Sequence, residues 1–134
     1  TDNNKLRIED GKWKNKENRI KILGFVPQDD LPALYAGASC FVYPSFYEGF
    51  GLPVLEAMSV GCPVVTTNKG SLAEIAGQAA VLVDPSKIDE IANGILHAIK
   101  SSRLFRDKGF VQAKKFNWKK TAKQTLDIYK EAFQ

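Results

Sequence analysis

Ser39-Cys40-Phe41-Val42-Tyr43-Pro44-Ser45-Phe46-Tyr47-Glu48-Gly49-Phe50-Gly51-Leu52-Pro53-Val54-Leu55-Glu56-Ala57-Met58-Ser59-Val60-Gly61-Cys62-Pro63-Val64-Val65-Thr66-Thr67 holds two apolar runs around one helical stretch. The first run, 39–43, is continuous and ends at Pro44-Ser45. Leu52 to Ser59 reads as a helix stopped by Gly61, and 63–67 is the second run. Short continuous apolar runs bounded by helices are the pattern of strands buried on both faces of a parallel sheet.

The alternation extends both ways. Ile20-Lys21-Ile22-Leu23-Gly24 reads as a short strand, and Asp29 and Asp30 cap a helix carrying Leu31, Leu34 and Tyr35. Downstream, Ser71 with Glu74 has capping-box spacing for a helix ending at Gly77, and 80–83 is a further strand closed by Asp84-Pro85. Ser86 with Asp89 caps a helix through Lys100 with an Ile88, Ile91, Ile95, Ile99 stripe. Two more helices follow, near 104–115 and 117–133, the last with Ala122, Leu126, Tyr129 and Phe133 on one face. Residues 1–19 are Lys/Asn-rich without a period and read as loop or lead-in. The expected fold class is α/β: a three-layer Rossmann-like parallel sheet with helices on both faces. Ligands bind such sheets beyond the C-terminal strand ends, which directs attention to the residues after Leu23, Tyr43, Thr67 and Val83.

Composition agrees with one globular domain: 134 residues, 44% hydrophobic and 25% charged. No apolar run approaches the roughly 20 residues of a membrane helix. The net charge of +4 is segregated, with residues 24–99 acidic and both ends basic. The basic C-terminal stretch lacks the aromatic interleaving of a nucleic-acid binder, so its lysines read as solvated helix faces and no nucleic-acid partner is expected. Cys40 and Cys62 have neither a CxxC partner nor a nearby His, and read as small buried thiols in a reducing compartment. His97 is the sole histidine and lies opposite the isoleucine stripe, hence exposed.

The densest chemical signal is the loop from Tyr43 into the helix. Gly49 and Gly51 remove side chains where backbone can approach a ligand. The amides of Gly51 and Leu52 open a helix and offer donors to an anion such as a diphosphate. Pro53 suits a first helical turn. Glu48 before the turn and Glu56 about a turn inside the helix are acceptors suited to vicinal hydroxyls of a sugar or ribose. Each piece alone is common, and Glu56 alone reads as a solvated helix position; their joint placement at a strand end shifts the balance. A nicotinamide site is disfavoured because Gly49-Phe50-Gly51 lacks the third glycine and the next strand ends Thr66-Thr67-Asn68. A receiver domain would need clustered aspartates, and only Asp84 sits at a strand end.

Glu48-Gly49-Phe50-Gly51-Leu52-Pro53-Val54-Leu55-Glu56-Ala57-Met58 resembles the E-x7-E signature of family 4 retaining glycosyltransferases of GT-B architecture. Similar flanks are Ile22-Leu23-Gly24-Phe25-Val26-Pro27, Leu31-Pro32-Ala33-Leu34-Tyr35-Ala36-Gly37-Ala38, Gly61-Cys62-Pro63-Val64-Val65-Thr66, Glu74-Ile75-Ala76-Gly77 and Val83-Asp84-Pro85. The likeness covers about 20–133 and is nearest the mannosyltransferase-like branch that builds surface polysaccharides.

The resemblance implies a donor-binding C-terminal domain of such an enzyme. Glu48 would be catalytic and bind donor sugar hydroxyls. Gly49, Phe50, Gly51 and Leu52 would face sugar and diphosphate, Glu56 the ribose, and Val26 the nucleobase. The substrate would be a GDP- or UDP-linked sugar, with no cofactor and no metal. Residues 20–134 would form the domain, with 117–133 a terminal helix bracing an acceptor half, and 1–19 a polar lead-in or truncated start. The opening Thr1-Asp2-Asn3-Asn4, without Met, reads as the start of an N-terminally truncated piece. The family's diphosphate-gripping Arg and Lys would precede residue 1, Gly11-Lys12-Trp13 would be the loop after their strand, and the N-terminal acceptor domain would be missing. The isolated chain is therefore expected not to turn over. The parent enzyme is expected in the cytoplasm, with peripheral contact at the inner face of the membrane. The competing expectation is a non-catalytic α/β interaction module.

Overall fold

The computed structural model describes residues 7–9, 12–14 and 20–133. The chain forms two compact units, residues 1–30 and 31–134.

In the first unit, β1 (Arg7–Glu9) and β2 (Lys12–Lys14) pair antiparallel, with Glu9 opposite Lys12. The expectation of loop throughout 1–19 is corrected at 7–9 and 12–14, where strands of three residues are too short to show a period; the other positions of 1–19, Gly11 among them, lie outside the described residues. Lys12 and Trp13 lie in β2 rather than in a loop. Residues 20–24 form no strand. Ile22 and Leu23 remain about half exposed, so the apolar alternation there is not buried as a sheet strand would be. A 3-10 turn, Gln28–Asp30, closes the unit, with the Asp30 amide donating to the Pro27 carbonyl at 3.0 Å.

The second unit is an α/β/α sandwich. Helix α1 (Leu31–Gly37) precedes β3 (Phe41–Tyr43), α2 (Leu52–Ser59) and β4 (Val64–Thr67). Then follow α3 (Gly70–Ala76), β5 (Val81–Val83), α4 (Ile88–Lys100), α5 (Ser102–Ala113) and α6 (Trp118–Ala132). The sheet is parallel with order β3-β4-β5, Phe41 opposite Val64 and Val65 opposite Val81. Since successive side chains leave a strand on opposite faces, β4 contributes to two cores. Val64 packs with Val54, Met58, Leu72 and Ile75 from α2 and α3, and Val65 packs with Val83 and Ala98 below α4. The three-layer Rossmann-like arrangement is therefore the observed one.

Close approach explains α4. A Cβ on Gly94 would stand 2.7 Å from Val83 Cγ1, so this glycine sets how near the helix lies to the sheet. The buried face of α4 is Ile91, Gly94, Ile95 and Ala98 rather than the full isoleucine stripe. Ile88 is 82% exposed, and Ile99 is exposed as well, so only the middle of the stripe packs on the sheet. Neither expected Ser cap forms. Ser86 instead donates from its amide and hydroxyl to Asp84 Oδ1 at 3.0 and 2.7 Å, a local turn that outcompetes the cap and holds the Asp84 carboxyl below its usual pKa. Asn117 does cap α6, accepting from the Lys120 amide at 2.8 Å.

Cys62 is buried, and desolvation pushes its thiol up to about 11; Cys40 is only partly buried and also raised. His97 is exposed, its ring edge-on to Phe105. Among the described residues no helix is long and apolar enough to cross a membrane.

Candidate functional site

The C-terminal end of β3 is anchored before it enters the loop. Thr66, next to it on β4, donates its hydroxyl to the Tyr43 carbonyl at 2.8 Å. From that fixed point, Tyr43 Oη donates to Glu48 Oε1 at 2.7 Å, within the range of a charge-assisted bond. The Tyr43 phenol pKa is raised, first by this hydrogen bond, then by burial and by the charge of Glu48. On the loop's other side, Ser71 Oγ donates to the Glu48 carbonyl at 2.7 Å. Ser71 thus ties α3 to the loop instead of completing a capping box, since the cap position is Lys69 and makes no side-chain bond. Glu48 is held by both its side chain and its backbone.

Gly49 and Gly51 differ. A Cβ on Gly49 would meet nothing within 4 Å, so the chain's own packing does not require glycine there. Gly51 has φ 118°, and a Cβ would stand 2.5 Å from Leu72 Cδ2. It opens α2 in the left-handed region without any side-chain cap, and Pro53 sits in the first turn where its missing N–H costs nothing. A helix start without a capping side chain leaves its first amides to other acceptors. Phe50 and Leu52 are exposed, and Phe50 meets the Phe116 ring edge-on at 6.2 Å.

Glu56 lies on α2, half-buried, with Tyr35 Oη from α1 donating to Oε2 at a longer 3.4 Å. Burial, followed by the Glu56 charge and hydrogen bond, raises the Tyr35 phenol. Rings link the two carboxylates: Tyr35 packs edge-on to Phe41 at 5.0 Å, and Phe41 stacks with Tyr43 at 5.6 Å. One continuous segment therefore carries Glu48, Gly49, Phe50, Gly51, Leu52 and Glu56. Val26 belongs to the other unit, half-buried in an irregular stretch before the 3-10 turn.

Tyr35, Tyr43, Ser71 and Phe116 escaped sequence reasoning. Tyr35 and Tyr43 read as ordinary core positions, and nothing in their spacing marks the carboxylates they meet. At β4, Thr67 Oγ1 is buried and has no hydrogen-bond partner among the described residues. The described residues hold no cluster of three or more His, Cys, Asp or Glu able to take a metal ion.

Residues 4–126 match the family model for glycosyl transferases group 1. The chain is 48% identical over 118 residues to O-antigen chain mannosyltransferase B of Escherichia coli, covering 86% of this chain and 31% of that protein. It is 38% identical over 111 residues to an MMP alpha-(1->4)-mannosyltransferase of Mycolicibacterium hassiacum, covering 78% of this chain and 27% of that protein. The fold superposes on sucrose-phosphate synthase from Thermosynechococcus elongatus with TM-score 0.78 and 29% identity, over 86% of this chain and 30% of that one. The chain thus spans less than a third of the length of these relatives. Family model, relatives and GT-B neighbour agree, and the chain belongs to the group 1 glycosyl transferases.

Proposed function

We propose that this chain is the donor-binding half of a retaining glycosyltransferase of family 4 that moves a sugar, a mannose-type hexose, from a GDP- or UDP-linked donor to a glycan or lipid-linked acceptor. The observation that carries this reading is the doubly fixed Glu48 at a strand end, leading through an open Gly49 into the uncapped start of α2. Glu48 accepts the donor sugar's hydroxyls and is the catalytic residue of this half. Backbone groups of Phe50, Gly51 and Leu52 face the diphosphate, whose charge grows as the glycosidic bond breaks; amides fixed in place stabilise that charge without reorganising. Glu56 takes the ribose hydroxyls, and Val26 meets the nucleobase. The leaving group is neutralised by amides and cationic side chains, with no metal and no cofactor.

In this reading an N-terminal acceptor domain completes the crevice, and α6 braces it with its exposed Leu126, Tyr129 and Phe133. The parent enzyme works in the cytoplasm, at the inner face of the membrane. This chain alone binds nucleotide weakly and does not turn over. Calorimetric titration with GDP, UDP and their sugar conjugates tests it. Binding at up to millimolar nucleotide, lost in Glu56→Ala, is expected. A folded chain that binds no nucleotide, or a Glu56→Ala variant that binds unchanged, overturns the donor site and favours a docking module.

A further inference from the structure

We propose that Tyr43 and Tyr35 are positioning residues, joined through Phe41 into an aromatic ladder that pre-orients the Glu48 and Glu56 carboxylates toward the donor's hydroxyls. This rests on the donor-site reading above and adds residues to it. Glutamate has a long side chain with a broad terminal torsion, and ordering it at the moment of binding costs entropy. A tyrosine has two side-chain torsions, and the rings of Tyr35, Phe41 and Tyr43 pack against the core formed by α2, α3 and β4. Ring contacts of 5.0 and 5.6 Å pack the three into one body. At one end of that body a hydroxyl holds Glu48 at 2.7 Å; at the other a hydroxyl reaches Glu56 at 3.4 Å. A carboxylate has about four acceptor sites, so one tyrosine bond leaves the remainder for vicinal hydroxyls. The order is set in advance of the ligand, and affinity gains what ordering would otherwise cost.

The bonds lie on different carboxylates, so the two tyrosines have separable effects. Tyr43→Phe and Tyr35→Phe keep both rings and remove only the hydroxyls. This chain and each variant are titrated with GDP, GDP-mannose, UDP and UDP-glucose. Tyr43→Phe is expected to weaken the sugar conjugate about tenfold, the size of one lost bond to a charged group, with the parent nucleotide unchanged. Tyr35→Phe is expected to weaken nucleotide and conjugate alike, by about threefold because its bond is longer. A readout without ligand accompanies these titrations: ultraviolet titration of the phenols. Glu48→Gln is expected to return one raised tyrosine toward its ordinary value and Glu56→Gln another. Wild-type binding with both variants unaltered overturns the ladder and leaves the donor site standing. Phenol titrations unmoved by Glu48→Gln also overturn it. A wild-type chain that takes up no nucleotide overturns the donor site and the ladder together.

Discussion

The hydroxyl of Ser71 donates to the carbonyl of Glu48 at 2.7 Å across 23 residues of sequence. The bond fastens the first turn of α3, on one crossover, to the loop leaving β3, on another. It fixes the backbone of Glu48, while Tyr43 fixes its side chain. A loop tied at both points is held by residues outside the E-x7-E segment.

Ser71→Ala removes that tie and leaves a partly buried carbonyl without its donor. The expected loss of stability is about 1 kcal/mol, within the usual range for one neutral hydrogen bond. Denaturant unfolding should show a lower midpoint with the same slope. Amide hydrogen exchange at 48–50 should quicken more than at α4. Equal quickening throughout would mean that Ser71 contributes stability without holding the loop.

Gly49 and Gly51 should respond differently to one methyl group. Gly51→Ala forces a left-handed backbone on a residue with a Cβ and pushes it into Leu72, so roughly 2 kcal/mol or more of stability should be lost. Gly49→Ala meets no neighbour within 4 Å and should unfold like the wild type. If Gly49 faces the donor, the same silent substitution should weaken sugar-nucleotide binding several-fold. Thermal melts with titrations on the same samples separate the two effects.

The thiols give a third test. Only the thiolate reacts, and with its pKa up at about 11, Cys62 has roughly one part in a thousand ionised at pH 8. Burial adds a steric block. A disulfide-exchange reagent should therefore label Cys40 slowly and Cys62 only after denaturant is added. Rapid labelling of both in native buffer would contradict the packed core around α2.

Phe116 precedes α6 and leans on Phe50. Phe116→Ala should cost about 1 kcal/mol for the lost edge contact, more if buried area goes with it. It should also loosen the Gly51 and Leu52 amides, visible as faster exchange at the start of α2. Unchanged exchange there would show that the contact does not steady the loop.

The stretch 39–67 was legible because two apolar runs, a glycine-opened helix start and a glycine stop each have a local cause, although only the second run is fully buried and β3 is partly buried. What failed to show locally depended largely on partners distant in sequence. Ser71 has a Glu three residues on, but its hydroxyl finds the Glu48 carbonyl instead. Ser86 with Asp89 failed for a local reason, the competing Asp84 turn. Residues 20–24 alternate like a strand yet join no sheet, while β1 and β2, each three residues long, were too short to announce themselves. Ile88 shares the period of the α4 stripe but is left exposed, since only Ile91 and Ile95 of the stripe pack on the core. For the site, the two carboxylates and glycines were readable from type and spacing. The tyrosines that donate to them were not, because a tyrosine in a core and one bonded to a carboxylate look the same in sequence.

The most direct measurement is a two-dimensional amide NMR titration of this chain with GDP and with UDP. The donor-site account predicts that shifts concentrate at Phe50, Gly51 and Leu52 and at the Glu56 turn of α2, and that Glu56→Ala abolishes them. Shifts confined to the lysine-rich faces of α5 and α6, unaffected by Glu56→Ala, would show a basic surface collecting an anion and would contradict it.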